Sequence, residues 1–285
     1  MKETRRRLDI LVLSDIHLGT YGCHAKELLQ YLRTVKPKTV ILNGDIIDIW
    51  QFSKRYFPKS HFKVIKHLIG WIGKGVKTYY VTGNHDELFR RFEGLKLGSL
   101  KIVNKVVLEL DEGKKAWFFH GDVFDVTMQH SKWLVRLGSI GYDLLILINR
   151  FVNFISQKIL KKGKLSLSKK IKDSVKRAVS YINQFEEVTA DIGITNKYEY
   201  VVCGHIHQPV IREIKNDQGS IIYMNSGDWI ENLSALEYVD GQWSIYRFNE
   251  KETLTNLEDV EEDRKLNYHE LFGTMLQDFN KMKSV

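Results

Sequence analysis

The sequence predicts a layered α/β fold with a helical insertion, and three observations predict it. Short β-rich apolar runs alternate with helix-like stretches in the N-terminal part of the chain. After Glu199 the pattern changes to successive strands separated by turn residues. Between these regions, from about Asp125 to Gly193, no β-rich run occurs and the apolar residues fall at helical spacing.

Taken in order, strands are expected at Leu8–Leu13, Thr39–Leu42, Lys77–Val81, Val106–Leu110 and Ala116–Phe119, with helices over Ala25–Thr34 and Lys63–Ile72. The insertion carries Leu134, Leu137, Ile140, Leu144, Ile148 and Phe151 on more than one helical face, and a lysine cluster from Lys158 to Lys172 follows. That is more apolar surface than one helix lying on a sheet needs to bury. It reads either as a helical pair packing on itself or on another subunit, or as a cap facing lipid, with its lysines toward an anionic surface. Further strands are expected at Tyr200–Cys203, Val210–Lys215, Ile221–Met224, Ser234–Val239 and Trp243–Phe248. Turns at Asn216-Asp217-Gln218-Gly219 and Asp240-Gly241 make these hairpins that close a second sheet. Acidic Glu258–Asp263 precedes an amphipathic helix expected over Tyr268 to Met282. No Pro/Gly/Ser-rich linker divides the chain, so one main domain is expected: 1–124 with 194–250 as the core, 125–193 as the insertion and 251–285 as a tail.

Composition narrows the function classes. With 285 residues, 43% hydrophobic and 27% charged, the chain can bury a core and is not disordered. Two cysteines, Cys23 and Cys203, are too few for a secreted disulfide framework and fit a reducing cytosol. Basic Met1 to Arg7 leads into no signal-peptide apolar region, and the run Trp133 to Leu160 is broken by Arg136, Asp143, Arg150 and Lys158, so neither export nor a spanning helix is expected. A net charge of +8 favours phosphates, nucleic acid or an acidic membrane surface.

The strongest signal lies where strands end. They run into Ser14-Asp15-Ile16-His17, Asn43-Gly44-Asp45-Ile46-Ile47-Asp48, Thr82-Gly83-Asn84-His85-Asp86, His120-Gly121-Asp122 and Gly204-His205-Ile206-His207. In an α/β sheet such ends converge outside the carboxyl edge. Oxygen and imidazole donors without thiolate suit manganese, iron, zinc or magnesium, and a shared carboxylate can bridge two cations about 3.5–4 Å apart that polarise a phosphoryl group and supply the nucleophile. Asp15-x-His17 and His205-x-His207 would present both members of each pair on one side of an extended strand end.

Through Asp-x-His, Gly-Asp-x-x-Asp, Gly-Asn-His-Asp, His-Gly-Asp and Gly-His-x-His, in that order, the chain resembles the calcineurin-like metallophosphoesterases over residues 8 to 249. The resemblance implies a four-layer αββα sandwich and two divalent metal ions, manganese first, with iron, zinc or magnesium as alternatives. It implies that Asp15, His17 and His207 hold one metal, that Asn84, His120 and His205 hold the other, and that Asp45 bridges them. His85 would be the general acid, oriented by Asp48. His120 to Asp125, the insertion and Asn225-Ser226-Gly227-Asp228-Trp229 look like the UDP-2,3-diacylglucosamine pyrophosphatase group of lipid A biosynthesis. That group implies a lipid-linked UDP-sugar substrate, release of UMP and 2,3-diacylglucosamine 1-phosphate, and a cytoplasmic enzyme peripheral to the inner face of the membrane. The best-characterised branch has Arg where this chain has His85, and Thr and Arg where it has Ile206 and Gln208.

Other readings follow from the same residues. The standard Gly-Asn-His motif also allows a soluble nucleotide or another phospholipid as substrate, and a binding scaffold without catalysis would have no need of these ligands. Nucleic acid is not expected, because basic and aromatic residues cluster on the insertion and not beside the motifs. Asp86 and Asp122 read equally as partners of a histidine or as helix-start carboxylates. Trp229 could stack on substrate or pack beneath the metals, Cys203 is expected in the core, and His24, His61, His67 and His130 have no spacing that joins them to the metals.

Overall fold

The computed structural model describes residues 5–49, 56–124 and 168–249, and for 168–179 the backbone alone. Most of the expected insertion and the whole expected tail lie outside the described residues.

A seven-stranded sheet contains β1 (Arg6–Leu13), β2 (Val35–Asn43), β3 (Lys77–Val81), β4 (Lys96–Leu97), β5 (Leu100–Val103), β11 (Ser234–Val239) and β12 (Gln242–Arg247), in the order β12-β11-β1-β2-β3-β5-β4. Strands β1, β2, β3 and β5 run parallel. The five-stranded sheet contains β6 (Lys105–Glu109), β7 (Lys115–Phe119), β8 (Tyr200–Cys203), β9 (Val210–Asn216) and β10 (Gly219–Asn225), in the order β6-β7-β8-β10-β9. Helices α1 (Ala25–Thr34) and α2 (Lys59–Gly73) cover the first sheet, and α3 (Ser168–Thr195) covers the second.

Alternation along each strand builds the four layers of an αββα sandwich. Leu11 and Leu13 of β1, Val40 and Leu42 of β2 and Tyr80 of β3 pack with Leu28, Leu32, Val64 and Trp71 of α1 and α2. Their sequence neighbours Ile10, Val12, Ile41, Tyr79 and Val81 face inward and meet Ala116, Phe118, Val202 and Met224 of the second sheet. On that sheet's outer face Trp117, Phe119, Val201, Cys203 and Tyr223 meet Phe185, Ala190 and Ile194 of α3. Burial on both faces is why these strands read as continuous apolar runs rather than polar alternations. Each fully buried aliphatic side chain contributes about 1.5–3 kcal/mol. The stretch from Phe185 to Ile194, grouped with the insertion by its helical spacing, is part of the sandwich's outer layer.

Two expectations are corrected. The β11–β12 hairpin does not close the second sheet; it extends the first, with β11 antiparallel to β1. Strand β11 is buried along almost its whole length, and the β1 edge offers it cover on both faces. Strand β2 starts at Val35, directly after α1 and before the expected Thr39, because a strand can carry Pro37 near its start. The short strands β4 and β5 were not anticipated, because Lys96, Lys101 and a two-residue turn leave little apolar pattern. Among the described residues no helix is long and apolar enough to cross a membrane.

Candidate metal centre

The loops after β1, β2, β3, β7 and β8 carry every motif residue, and they meet across the two sheets. Asn43 Nδ2 donates to Phe119 O at 3.0 Å, and the Gly204 amide donates to His120 O at 2.9 Å. The pairs Asp15/His17 and His205/His207 are not extended. Asp15, His17, Asp45, His205 and His207 have φ of 51°, 52°, 54°, 65° and 57°, a left-handed conformation uncommon outside glycine. Such backbone persists only where the surroundings over-determine it. Here they do: Asp15 N donates to Gly44 O at 3.0 Å, His17 N to Asp45 O at 2.9 Å and Trp229 N to Asp15 O at 3.1 Å. The loops approach so closely that a Cβ on Gly44 (φ +84°) would fall 2.3 Å from the His120 ring of the other sheet, and one on Gly83 2.2 Å from Asp45 Oδ1 of the adjacent loop.

Six of the sequence-named ligands come together in two groups. Ligand atoms of Asp15, His17 and His207 lie within 4.8 Å of one another, as do those of Asp45, His120 and His205. Asp45 Oδ2 is 3.2 Å from His120 Nε2 and 3.9 Å from His17 Nε2, which places its carboxylate between the groups. His17 Nε2, His120 Nε2 and Asn84 Oδ1 are buried and have no hydrogen-bond partner. Buried polar atoms are nearly always paired, so these orphans, two of them beside the Asp45 carboxylate, fit ions bound among them.

The electrostatics agree. Burial pushes the Asp15 carboxyl up, but His207 and His120 outweigh it and bring it down to about 2. Asp45 is likewise driven well below the carboxylate range by His120, against its burial. Burial lowers His207, yet Asp15 at 3.1 Å and Asp228 raise it to about 9. This is a pocket of ionised carboxylates that draws positive charge, a role divalent cations fill by displacing protons from the imidazoles.

Beside the two groups, His85 Nδ1 lies 2.9 Å from Asp48 Oδ2, which is also 3.7 Å from His17 Nδ1. Asp48 is held well below the carboxylate range by His17 and His85, despite burial that pushes the other way. His85 is raised by Asp48, against its burial. Asp86 stands at the start of the Glu87–Phe92 3-10 segment, as one reading expected, but its side chain neither caps that segment nor pairs with a histidine. Its carboxylate accepts from the amides of Gly83 (2.6 Å) and Ile46 (2.9 Å) and from Tyr80 Oη (2.7 Å), clamping the Asn84–His85 loop to the Asp45 loop. Asp122 pairs with Arg90.

Sequence reasoning did not assign a role to Asp228. It is fully buried, 3.8 Å from His207 Nδ1, and accepts from the amides of Ile230 and Asn232 at 2.8 and 3.2 Å. Asn232 Nδ2 bonds both Asp228 Oδ2 (2.6 Å) and His207 O (2.7 Å), so this turn carries the last ligand. Trp229 is a core residue: it is fully buried and stacks on Tyr31 with ring centroids 5.6 Å apart. Cys203 is buried, as expected, and His61 is a packing residue whose Nδ1 accepts from Gly19 N at 2.9 Å.

The calcineurin-like phosphoesterase family profile matches residues 8–209. The UDP-2,3-diacylglucosamine hydrolase of Blochmanniella pennsylvanica is 24% identical over 243 residues, covering 81% of this chain and 92% of its own. That of Aliivibrio fischeri is 25% identical over 262 residues, covering 84% and 98%. A solved Streptococcus pneumoniae protein described as a predicted phosphoesterase covers 84% of this chain and 87% of its own at 16% identity and a TM-score of 0.32. Because the family profile runs from β1 through all five ligand-bearing loops to His207 and beyond, this chain belongs to the calcineurin-like phosphoesterase family of metal-dependent phosphohydrolases.

Proposed function

We propose that this enzyme hydrolyses the diphosphate of a lipid-linked UDP-sugar, releasing UMP and 2,3-diacylglucosamine 1-phosphate at the cytoplasmic face of a membrane. The observation that carries the chemistry is the pair of donor groups around Asp45, with three orphaned buried ligand atoms, next to the His85–Asp48 pair. The substrate rests on the relatives named UDP-2,3-diacylglucosamine hydrolase, whose lengths this chain spans almost completely.

Asp15, His17 and His207 would hold one divalent ion, Asn84, His120 and His205 the other, and Asp45 both; manganese suits this oxygen and imidazole set. When bound, the ions polarise the phosphoryl oxygens and lower the pKa of a water. Asp48 fixes the His85 ring through Nδ1, so that its other nitrogen can pass a proton to the departing oxygen. Asp86 keeps Asn84 and His85 in register with Asp45.

Loss of the bridge should abolish turnover. Asp45→Ala is expected to remove activity on every phosphoester, and a variant with wild-type turnover would overturn the assignment. For the substrate, mass spectrometry of phosphorus-containing products from a lipid and nucleotide extract incubated with Mn²⁺ should show UMP released from a lipid-linked UDP-sugar. A second reading, a soluble nucleotide or another phospholipid as substrate, is favoured by His85 standing where the best-characterised lipid A branch has Arg. Release of any other phosphomonoester in place of UMP selects it.

A further inference from the structure

A cleft of about 330 Å³ opens beside His85, lined by Ile49, His85, Glu87, Leu88, Arg90 and Arg91. None of its lining residues belongs to the two donor groups, so it lies outside the metal ligands and shares one wall with the proposed acid. All of the wall apart from Ile49 and His85 comes from one short 3-10 segment, Glu87–Phe92, which Asp86 fastens to the Asp45 loop. Arg90 is anchored on Asp122, whose side chain is 8% exposed, while its own remains 36% exposed. A guanidinium has more N–H donors than this one carboxylate contact uses, and its planar fork matches two oxygens of a phosphate. Arg91 enters the same cleft from the exposed side of the segment.

We propose that Arg90 and Arg91 form the subsite that holds the phosphate of the departing group. This rests on the proposed diphosphate hydrolysis and extends it to residues outside the metal ligands. In that reaction a water oxygen bonds to the phosphorus of the uridylyl group, and the bridging P–O bond breaks. The bridging oxygen leaves with the bonding pair on the sugar 1-phosphate and takes a proton by way of His85, which the attacking water's proton replaces. The group expelled past His85 is thus itself a phosphate, and the cleft past His85 is where the two guanidiniums stand. A neutral alcohol or phenol leaving the same way has nothing for them to hold. Glu87 also lines the cleft, so the two arginines leave it a positive balance, and recognition rests on their forks matching phosphate oxygens.

The test compares two substrates on the metal-loaded enzyme: UDP-2,3-diacylglucosamine, whose leaving group is a phosphate, and bis(p-nitrophenyl) phosphate, whose leaving group is a phenol. Arg91→Gln should lower kcat/KM on the diphosphate by about tenfold more than on the diester, the scale of one charge-assisted hydrogen bond. Arg90→Lys, which keeps a cation for Asp122 but loses the fork, should shift the ratio in the same direction. Equal losses on both substrates, or no loss on the diphosphate, overturn the subsite. A wild-type enzyme that cleaves the diester but not the diphosphate overturns both the subsite and the proposed substrate, leaving the phosphoesterase chemistry intact. Failure to cleave either one removes the catalytic reading itself.

Discussion

His85 and Asp48 meet at 2.9 Å, and the Asp48 carboxylate is almost fully buried. Replacing a residue that only orients another costs less than replacing the group that moves the proton. Asp48→Asn is expected to lower kcat by about 10–100-fold, and His85→Gln by about 10²–10⁴-fold, the latter with metal content unchanged by elemental analysis. A His85→Gln enzyme of wild-type kcat would remove His85 from the reaction. At this scale the sequence was most legible: strand ends marked a cluster of donors, the resemblance named Asp15, His17, Asp45, Asn84, His120, His205 and His207 among them, and the structure brings Asp15, His17 and His207 together and Asp45, His120 and His205 together. Their left-handed backbone was not legible, since nothing in Asp-x-His distinguishes φ near 50° from an extended strand. Asp228 was missed for a related reason. Its turn returns beneath His207 only because β10 lies beside β8, a pairing no local pattern reveals.

Among the elements, the join between β1, α1 and β11 depends on one nearly buried carboxylate. Glu237 accepts from Arg6 Nη1 and Nη2 at 2.8 Å each and from Tyr31 Oη at 2.7 Å. Glu237→Leu leaves the Tyr31 hydroxyl buried without its acceptor and should cost about 1–3 kcal/mol in urea unfolding, with metal content intact. A weaker tie lies further along β1. Lys38 Nζ at 2.6 Å, with the Asp240 amide, keeps Asp9 below the usual carboxylate range. A depressed folded-state pKa gives stability that is complete above the unfolded value of about 3.9 and is lost as pH falls through the folded one. Asp9→Asn should therefore flatten the acid limb of stability below about pH 4, by at most about 0.5 kcal/mol for so exposed a pair. Strands buried on both faces were readable as apolar runs, and α1 matches its expected bounds. Sheet membership was not readable, because β11 satisfies the pattern of either sheet and only the position of the β1 edge decides.

For the molecule as a whole, the metal centre is also a fastener. Its ligands come from loops of both sheets, so ions bound there should stabilise the entire sandwich. Manganese at about a hundred times its dissociation constant should add about 2.7 kcal/mol, seen as a rise in Tm that a chelator reverses and that Asp45→Ala abolishes. The net charge of +8 does not arise at the centre, which is lined by buried carboxylates; Arg90 and Arg91 line the cleft beside His85, where a phosphate would depart. Two ions sharing Asp45 are central to the proposed chemistry. Anomalous diffraction from crystals grown with Mn²⁺ tests this most directly. It should show two peaks about 3.5–4 Å apart, one among Asp15, His17 and His207 and the other among Asn84, His120 and His205, with Asp45 touching both. A single peak, or a pair that Asp45 does not bridge, would contradict it.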